Sequence, residues 1–181
     1  MRIVIRQLAA TNRLVVPVPV ESLLRQEGWR IVEMTMPLRL EASTLFDYRQ
    51  ILINDRLSSF RQRFALAHEL IHAFYHQDHA PRGIATLTHG YHDEMEAEAN
   101  SGAAELLLPY EWFMDMAATL VGSRLRTDDD LRAFLATPEA RRWAGKARVT
   151  TEVLRYHLED LGWVEAVSRN VSCEGVSAAL I

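Results

Sequence analysis

Residues 58–76 read SSFRQRFALAHELIHAFYH, and this stretch does more than any other to predict the fold of the chain. The pair Ser59 and Gln62 is typical of a capping box, in which two side chains satisfy free backbone donors at the start of a helix. We therefore predict a helix over residues 60–76. Its centre is apolar on nearly every face, which predicts that the helix is buried.

Within this helix, residues 68–72 read HELIH, an H-E-x-x-H motif. Histidines four positions apart lie on one helix face, so the imidazoles of His68 and His72 can reach the same zinc ion. Glu69 stands beside such an ion, where its carboxylate can take a proton from water. The alternative of two structural histidines does not account for the adjacent carboxylate, which is costly to bury without a partner. The motif thus predicts a metal site with Glu69 as the catalytic base.

A catalytic zinc site takes three protein ligands and keeps one position open. Asp78 follows His68 by ten residues, a spacing that some zinc proteases use, but those proteins need a glycine where this chain has Tyr75. His76 continues the face of His68, yet two further helical turns place it about 12 Å along the axis. Neither residue is therefore expected to complete the site.

The third ligand is expected from residues 93–100, DEMEAEAN, a helical segment rich in carboxylates. Glu96 and Asn100 lie on one face of that helix, whereas Glu98 points about 200° away and is expected in solvent. We predict Glu96 as the ligand, in preference to Glu94 and Glu98. Asn100 is predicted to hold the second ring nitrogen of a ligand histidine, with a plain surface amide as the alternative.

The rest of the chain predicts a small antiparallel sheet before the motif and mainly helices after it. The predicted elements are a helix at 21–27 ended by Gly28, a strand at 29–34, a hairpin of strands 42–46 and 50–54, and helices at 93–108, 109–121, from 128 and at 150–161. An edge strand of the hairpin is a candidate to pair with a substrate backbone.

Composition excludes several classes of protein. Of 181 residues, 49% are hydrophobic and 24% are charged, which excludes a disordered chain. The lone Cys173 cannot form an internal disulfide, and no apolar run is long enough to cross a membrane. A net charge of −4 argues against nonspecific binding to nucleic acid. We expect a soluble cytoplasmic protein.

Three motifs together resemble the ImmA/IrrE family of metallopeptidases. They are RQRFALAHELIH at 61–72, EAEAN at 96–100 and AAELLLP at 103–109. The likeness covers Val16 to about Gly162, and it departs at Gly102, where members usually carry phenylalanine. It implies a zinc site made by His68, His72 and Glu96, with manganese as an alternative ion and Glu69 as the catalytic glutamate.

The resemblance also implies an overall organisation and a function. The fold would be α+β, with a minimal zincin-like metallopeptidase domain at 1–126 and a helical, helix-turn-helix-like segment at 127–181. The protein would be a bacterial or phage endopeptidase that cuts a helix-turn-helix repressor at one site and so causes derepression. The alternatives are a non-cleaving, repressor-binding or antitoxin-like protein of the same fold, and a regulator that binds DNA.

Two groups of residues, the candidate oxyanion donors and the basic residues of the C-terminal segment, each allow more than one interpretation. Candidates for donating a hydrogen bond to the oxyanion are Tyr75, His89, Tyr91 and His92, which are equally typical of loop or core positions. The basic residues of the C-terminal segment predict either a DNA-contacting face or ordinary solvated charges, because acidic residues interleave with them. These basic residues are Arg141, Arg142, Lys146, Arg148 and Arg155.

Overall fold

Seven α-helices, three strands and two short 3-10 helices (Phe46–Tyr48 and Gln77–His79) lie in the part of the chain that the computed structural model describes, residues 15–37, 39–79, 93–117 and 127–162. The predicted α+β class is confirmed. The elements are α1 (Val20–Gln26), β1 (Arg30–Met34), β2 (Ala42–Leu45), β3 (Gln50–Asn54), α2 (Ser59–Tyr75), α3 (Asp93–Leu107), α4 (Tyr110–Ala117), α5 (Asp128–Leu135), α6 (Pro138–Ala147) and α7 (Thr151–Asp160).

The sheet has the strand order β1-β3-β2 and is mixed. The predicted hairpin is present, since β2 and β3 are antiparallel with Thr44 opposite Ile51. The sequence predicted an antiparallel sheet throughout, but β1 runs parallel to β3, with Ile31 opposite Ile51. The connection between β2 and β3 is short, so no strand lies between them, and β1 pairs with the other edge of β3. Because the chain passes through β2 on its way from β1 to β3, β1 and β3 run in the same direction.

Helix α2 begins one residue earlier than predicted. Ser58, not Ser59, is the N-cap residue, and its side chain accepts a hydrogen bond from the backbone N–H of Arg61. Ser58 has the extended backbone that an N-cap requires, whereas Ser59 is already helical. Gln62 donates instead to the backbone carbonyl of Asn54, at 3.1 Å, and so ties the helix to the end of β3.

Helix α2 lies between the sheet and α3, and it is buried as predicted. Helices α2 and α3 are packed against each other, and Ala67 of α2 and Ala99 and Ala103 of α3 are each fully buried. Side-chain size sets the distance between packed helices, so alanines let these two approach closely. The approach brings Glu96 and Asn100 of α3 against the histidines of α2.

The three helices after residue 127 pack on one another and, through α7, on α3. Thr127 caps α5 in a capping box with Asp130, which confirms the predicted helix start. Phe113 of α4 joins this group, with its ring 6.1 Å from that of Trp143 and 4.9 Å from that of His157. The boundary predicted between residues 126 and 127 borders a stretch outside the described residues, so it stays a prediction.

None of the helices in the described ranges combines the length and the apolar character that crossing a membrane requires. Of the basic residues considered for DNA contact, Arg155 contacts Glu159 at 3.5 Å, and the other four are exposed.

Candidate active site

The side chains of His68, His72 and Glu96 converge where α2 meets α3. One ligand atom from each lies within 4.8 Å of the other two. The Nε2 atoms of the two histidines are 2.9 Å apart. Glu96 reaches both, with one carboxylate oxygen 3.2 Å from His68 Nε2 and the other 3.6 Å from His72 Nε2. Two imidazoles and a carboxylate form a donor set that suits zinc.

Asn100 contacts the outer nitrogen of His68. Its Oδ1 lies 3.0 Å from His68 Nδ1. An amide oxygen only accepts, so Nδ1 carries the hydrogen in this contact and a neutral His68 keeps a lone pair on Nε2. The structure thus places Asn100 against the ring nitrogen of His68 that faces away from the cluster.

The two histidines differ in their electrostatic surroundings. Burial lowers the pKa of His68, but the hydrogen bond to Glu96 and the charge of Glu69 outweigh it, so this pKa is raised. Burial, followed by repulsion from a protonated His68, lowers the pKa of His72 to about 3. His72 is therefore neutral at ordinary pH, and one of its two ring nitrogens carries a lone pair that can bind a metal.

His76 and Glu98 extend this arrangement in a way the sequence did not predict. His76 Nδ1 lies 2.8 Å from His72 Nδ1, and His76 Nε2 lies 3.1 Å from Glu98 Oε2. Glu98 was expected in solvent, and its side chain is 56% exposed, but its carboxylate turns back to His76. The close packing of α2 on α3 lets two sides of α3 reach α2, which a helical wheel does not reveal.

When both ligand histidines carry their hydrogen on Nδ1, two lone pairs face each other across 2.9 Å. Such nitrogens repel unless a cation lies between them, either a proton or a metal ion. The residues present therefore fit a divalent ion at this point.

Glu69 is buried beside this cluster, with 7% of its surface exposed. Thr44 of β2 donates a hydrogen bond to Glu69 Oε2 at 2.6 Å. Burial raises the pKa of Glu69, while the charge of His68 and the bond from Thr44 act in the opposite direction. Thr44 belongs to no motif, and only the packing of β2 over α2 places it here.

A cavity of about 300 Å³ opens over these residues. One wall is formed by residues 39–44, which include most of β2, and the other by α2 and α3. Strand β2 lies at an edge of the described sheet. Its backbone is therefore placed to pair with an extended chain that enters the cavity.

The remaining candidate residues are less central or cannot be placed. Tyr75 is half-buried against the apolar core and is not among the residues that line the cavity; burial raises its pKa. His89, Tyr91 and His92 lie outside the described residues. Asp78 and Glu94 are exposed, and neither belongs to the convergent group.

Comparison with known proteins agrees with this geometry. The family model Peptidase_M78, described as an IrrE N-terminal-like domain, matches residues 26–159, about three quarters of the chain. No curated protein matches the chain. The match covers α2 and α3 with the whole histidine and carboxylate cluster, and it extends into α7. The chain therefore belongs to the Peptidase_M78 family of metallopeptidases.

Proposed function

We propose that the protein is a zinc-dependent endopeptidase that cleaves a helix-turn-helix transcriptional repressor at one site and thereby relieves repression. The observation that carries the hydrolytic part is the placement of Glu69. Its buried carboxylate adjoins the cluster of His68, His72 and Glu96 and accepts a hydrogen bond from Thr44. A purely structural zinc site has no need of such a carboxylate.

In this proposal His68, His72 and Glu96 hold the ion, which is zinc or, as the alternative, manganese. A divalent ion in such a site polarises both a water molecule and the carbonyl of the scissile peptide. The remaining chemistry is proton transfer. Glu69 takes a proton from the attacking water and returns it to the nitrogen of the departing amine.

Thr44 prepares Glu69 for this role. Its hydroxyl occupies one carboxylate oxygen at 2.6 Å and limits how far the side chain can rotate. Because burial raises the pKa of Glu69, this carboxylate is a stronger base than an exposed one. His89, Tyr91 and His92 remain candidates for stabilising the oxyanion.

The form of the cavity bears on the kind of substrate. A volume of about 300 Å³ accommodates few side chains. We therefore expect selectivity to come from docking of a folded partner while one exposed segment pairs with β2. Pairing through the backbone holds the scissile bond in place without demanding one side-chain pattern. The assignment of a cytoplasmic repressor as that partner rests on the resemblance described above.

The test is to incubate the purified protein with a candidate helix-turn-helix repressor from a neighbouring gene, in zinc and separately in manganese. Mass spectrometry is expected to show two fragments from one cleavage, while a casein-like substrate stays nearly intact. The Glu69→Gln variant is the matched control and should leave the repressor whole. A repressor that binds but stays uncut in both metals would favour the non-cleaving, antitoxin-like alternative.

A further inference from the structure

The buried imidazole of His76 contacts His72 on the side away from the ligand cluster. Its Nδ1 lies 2.8 Å from His72 Nδ1, and its Nε2 lies 3.1 Å from Glu98 Oε2. Because His76 is only 4% exposed, water competes little for these contacts. A continuous path of contacts therefore runs from His72 through His76 to a carboxylate on α3.

Only one arrangement of hydrogens lets a neutral His72 bind a metal through Nε2. That nitrogen must keep its lone pair, so the ring hydrogen is on Nδ1 and points at His76 Nδ1. His76 Nδ1 must then accept, which puts the ring hydrogen of His76 on Nε2. Glu98 accepts from that nitrogen. Each contact has one donor and one acceptor, and the carboxylate ends the path.

We propose that His76 and Glu98 are positioning residues that hold His72 in its metal-binding tautomer and make His72 Nε2 a better ligand. The inference rests on the metal site proposed above and concerns groups outside the ligand set. A histidine ligand whose second nitrogen donates to an acceptor is fixed in orientation and is more basic at the metal. Here the acceptor is a second histidine, which relays the effect of a charged carboxylate.

The two ligand histidines are thus supported by different means. The amide of Asn100 supports His68 at the rim of the site. The path through His76 supports His72, whose side chain is 1% exposed. Because the supports are separate, altering His76 leaves the contact of Asn100 with His68 in place, and the effect on metal binding can be assigned to His72.

The experiment measures the zinc affinity of the full chain by competition with a chromophoric chelator. His76→Phe keeps an aromatic ring in the buried site but removes the acceptor, and we expect zinc binding to weaken by about 10- to 100-fold. His76→Asn places an amide oxygen near the position of Nδ1, so it should recover most of that loss. Glu98→Gln keeps an acceptor without the charge, and a loss of less than about tenfold is expected.

Glu94→Gln is the matched control, since Glu94 is an exposed glutamate one turn before Glu98 on α3, and its affinity should equal that of the parent. The absorption bands of bound cobalt provide a second readout. They should shift in His76→Phe and resemble those of the parent in His76→Asn, which a loss of packing alone would not produce.

Parent-like affinity in a folded His76→Phe variant would overturn the inference and leave the metal site intact. Equal losses in His76→Phe and His76→Asn would also overturn it, because the histidine would then matter only for its shape. If His76→Phe does not fold, Glu98→Gln decides, since it is expected to bind zinc more weakly than Glu94→Gln, and equal affinities of these two variants would overturn the inference. A parent protein that binds no zinc at all would contradict the metal site itself.

Discussion

The region around α2 and the group of helices α5, α6 and α7 bury different kinds of side chain. Where α2 meets the sheet and α3, the buried polar residues include Ser43, Thr44, Asn54, Glu69, His72 and His76. Among the described residues of α5 to α7, His157 is the buried polar residue, and apolar side chains such as Trp143 and Leu154 fill the interior. Burying polar groups costs free energy unless they are hydrogen-bonded. Stability therefore accounts for the second region, whereas each buried polar group of the first region needs a hydrogen-bond partner or a chemical role.

Asn54 shows that polar burial alone does not identify a functional residue. Its amide donates to the backbone carbonyls of Met36 and Leu40, at 3.2 and 2.9 Å, and so fixes the loop before β2. Glu69 differs because its carboxylate lines the cavity beside a possible cation site. The two residues differ in their surroundings: the amide of Asn54 is hydrogen-bonded to backbone carbonyls, whereas the carboxylate of Glu69 faces the cavity.

The largest effect on the region around α2 is expected from Glu69→Gln. The substitution keeps size and burial but removes the base, so cleavage should fall by at least about 100-fold. The fold and the bound metal should be retained, because the amide can still accept from Thr44. Cleavage of the repressor and metal content are measured on the same sample. Near-parent activity would rule out the mechanism, and loss of the metal would make Glu69 a ligand instead.

The second prediction concerns the apolar region. Leu154 of α7 is fully buried, so Leu154→Ala should lower the free energy of unfolding by about 2–5 kcal/mol. Zinc affinity of the folded protein should not change, because Leu154 does not line the cavity. Urea denaturation of the metal-free protein gives the first quantity and chelator competition the second.

Arg132→Ala is the control for that experiment. Arg132 is exposed and contacts Asp129 at 3.7 Å, so its removal should cost less than about 1 kcal/mol. A Leu154→Ala variant as stable as the control would show that the C-terminal helices add little to the fold. A large loss of zinc affinity in Leu154→Ala would mean that the two regions are not energetically separate.

A smaller effect separates the two ligand histidines by pH. The pKa of His68 is raised from 6.5, whereas that of His72 is lowered to about 3. Near pH 6, therefore, zinc must displace a proton from His68 but none from His72. Below the pKa of His68, zinc affinity should fall by about tenfold for each unit of pH.

Calorimetry in two buffers of different ionisation enthalpy counts the released protons. The parent protein is used, because the charge of Glu69 is one of the causes that raise the pKa of His68, and replacing Glu69 would remove it. One proton per zinc is expected near pH 6. A release of none, or of two, would contradict the difference assigned to the two histidines.

Much of the site could be predicted because it is encoded locally. Helical spacing alone places His68 and His72 on one face, and the same reasoning applied to α3 selects Glu96 and Asn100. The caps also follow from nearby residues, although Ser58 and Ser59 are neighbours of the same type and pattern alone selected the wrong one. Local rules therefore predict which residues share a face.

What the sequence did not reveal depends on packing between elements. Thr44 reaches Glu69 only because β2 lies over α2, and Glu98 reaches His76 only because α2 and α3 approach closely. The parallel pairing of β1 likewise depends on which edge of β3 is still available for pairing once β2 and β3 form the hairpin. These contacts join residues that are distant in the chain, and no periodic pattern in the sequence predicts such contacts.

The ligand set is tested most directly by the metal content of the purified chain, measured by mass spectrometry after loading with zinc and removal of the excess. One ion per chain is expected in the parent and in Glu94→Gln, and loss of that ion is expected in His72→Ala and Glu96→Ala. Full occupancy in both alanine variants would contradict the ligand set on which the proposed function depends.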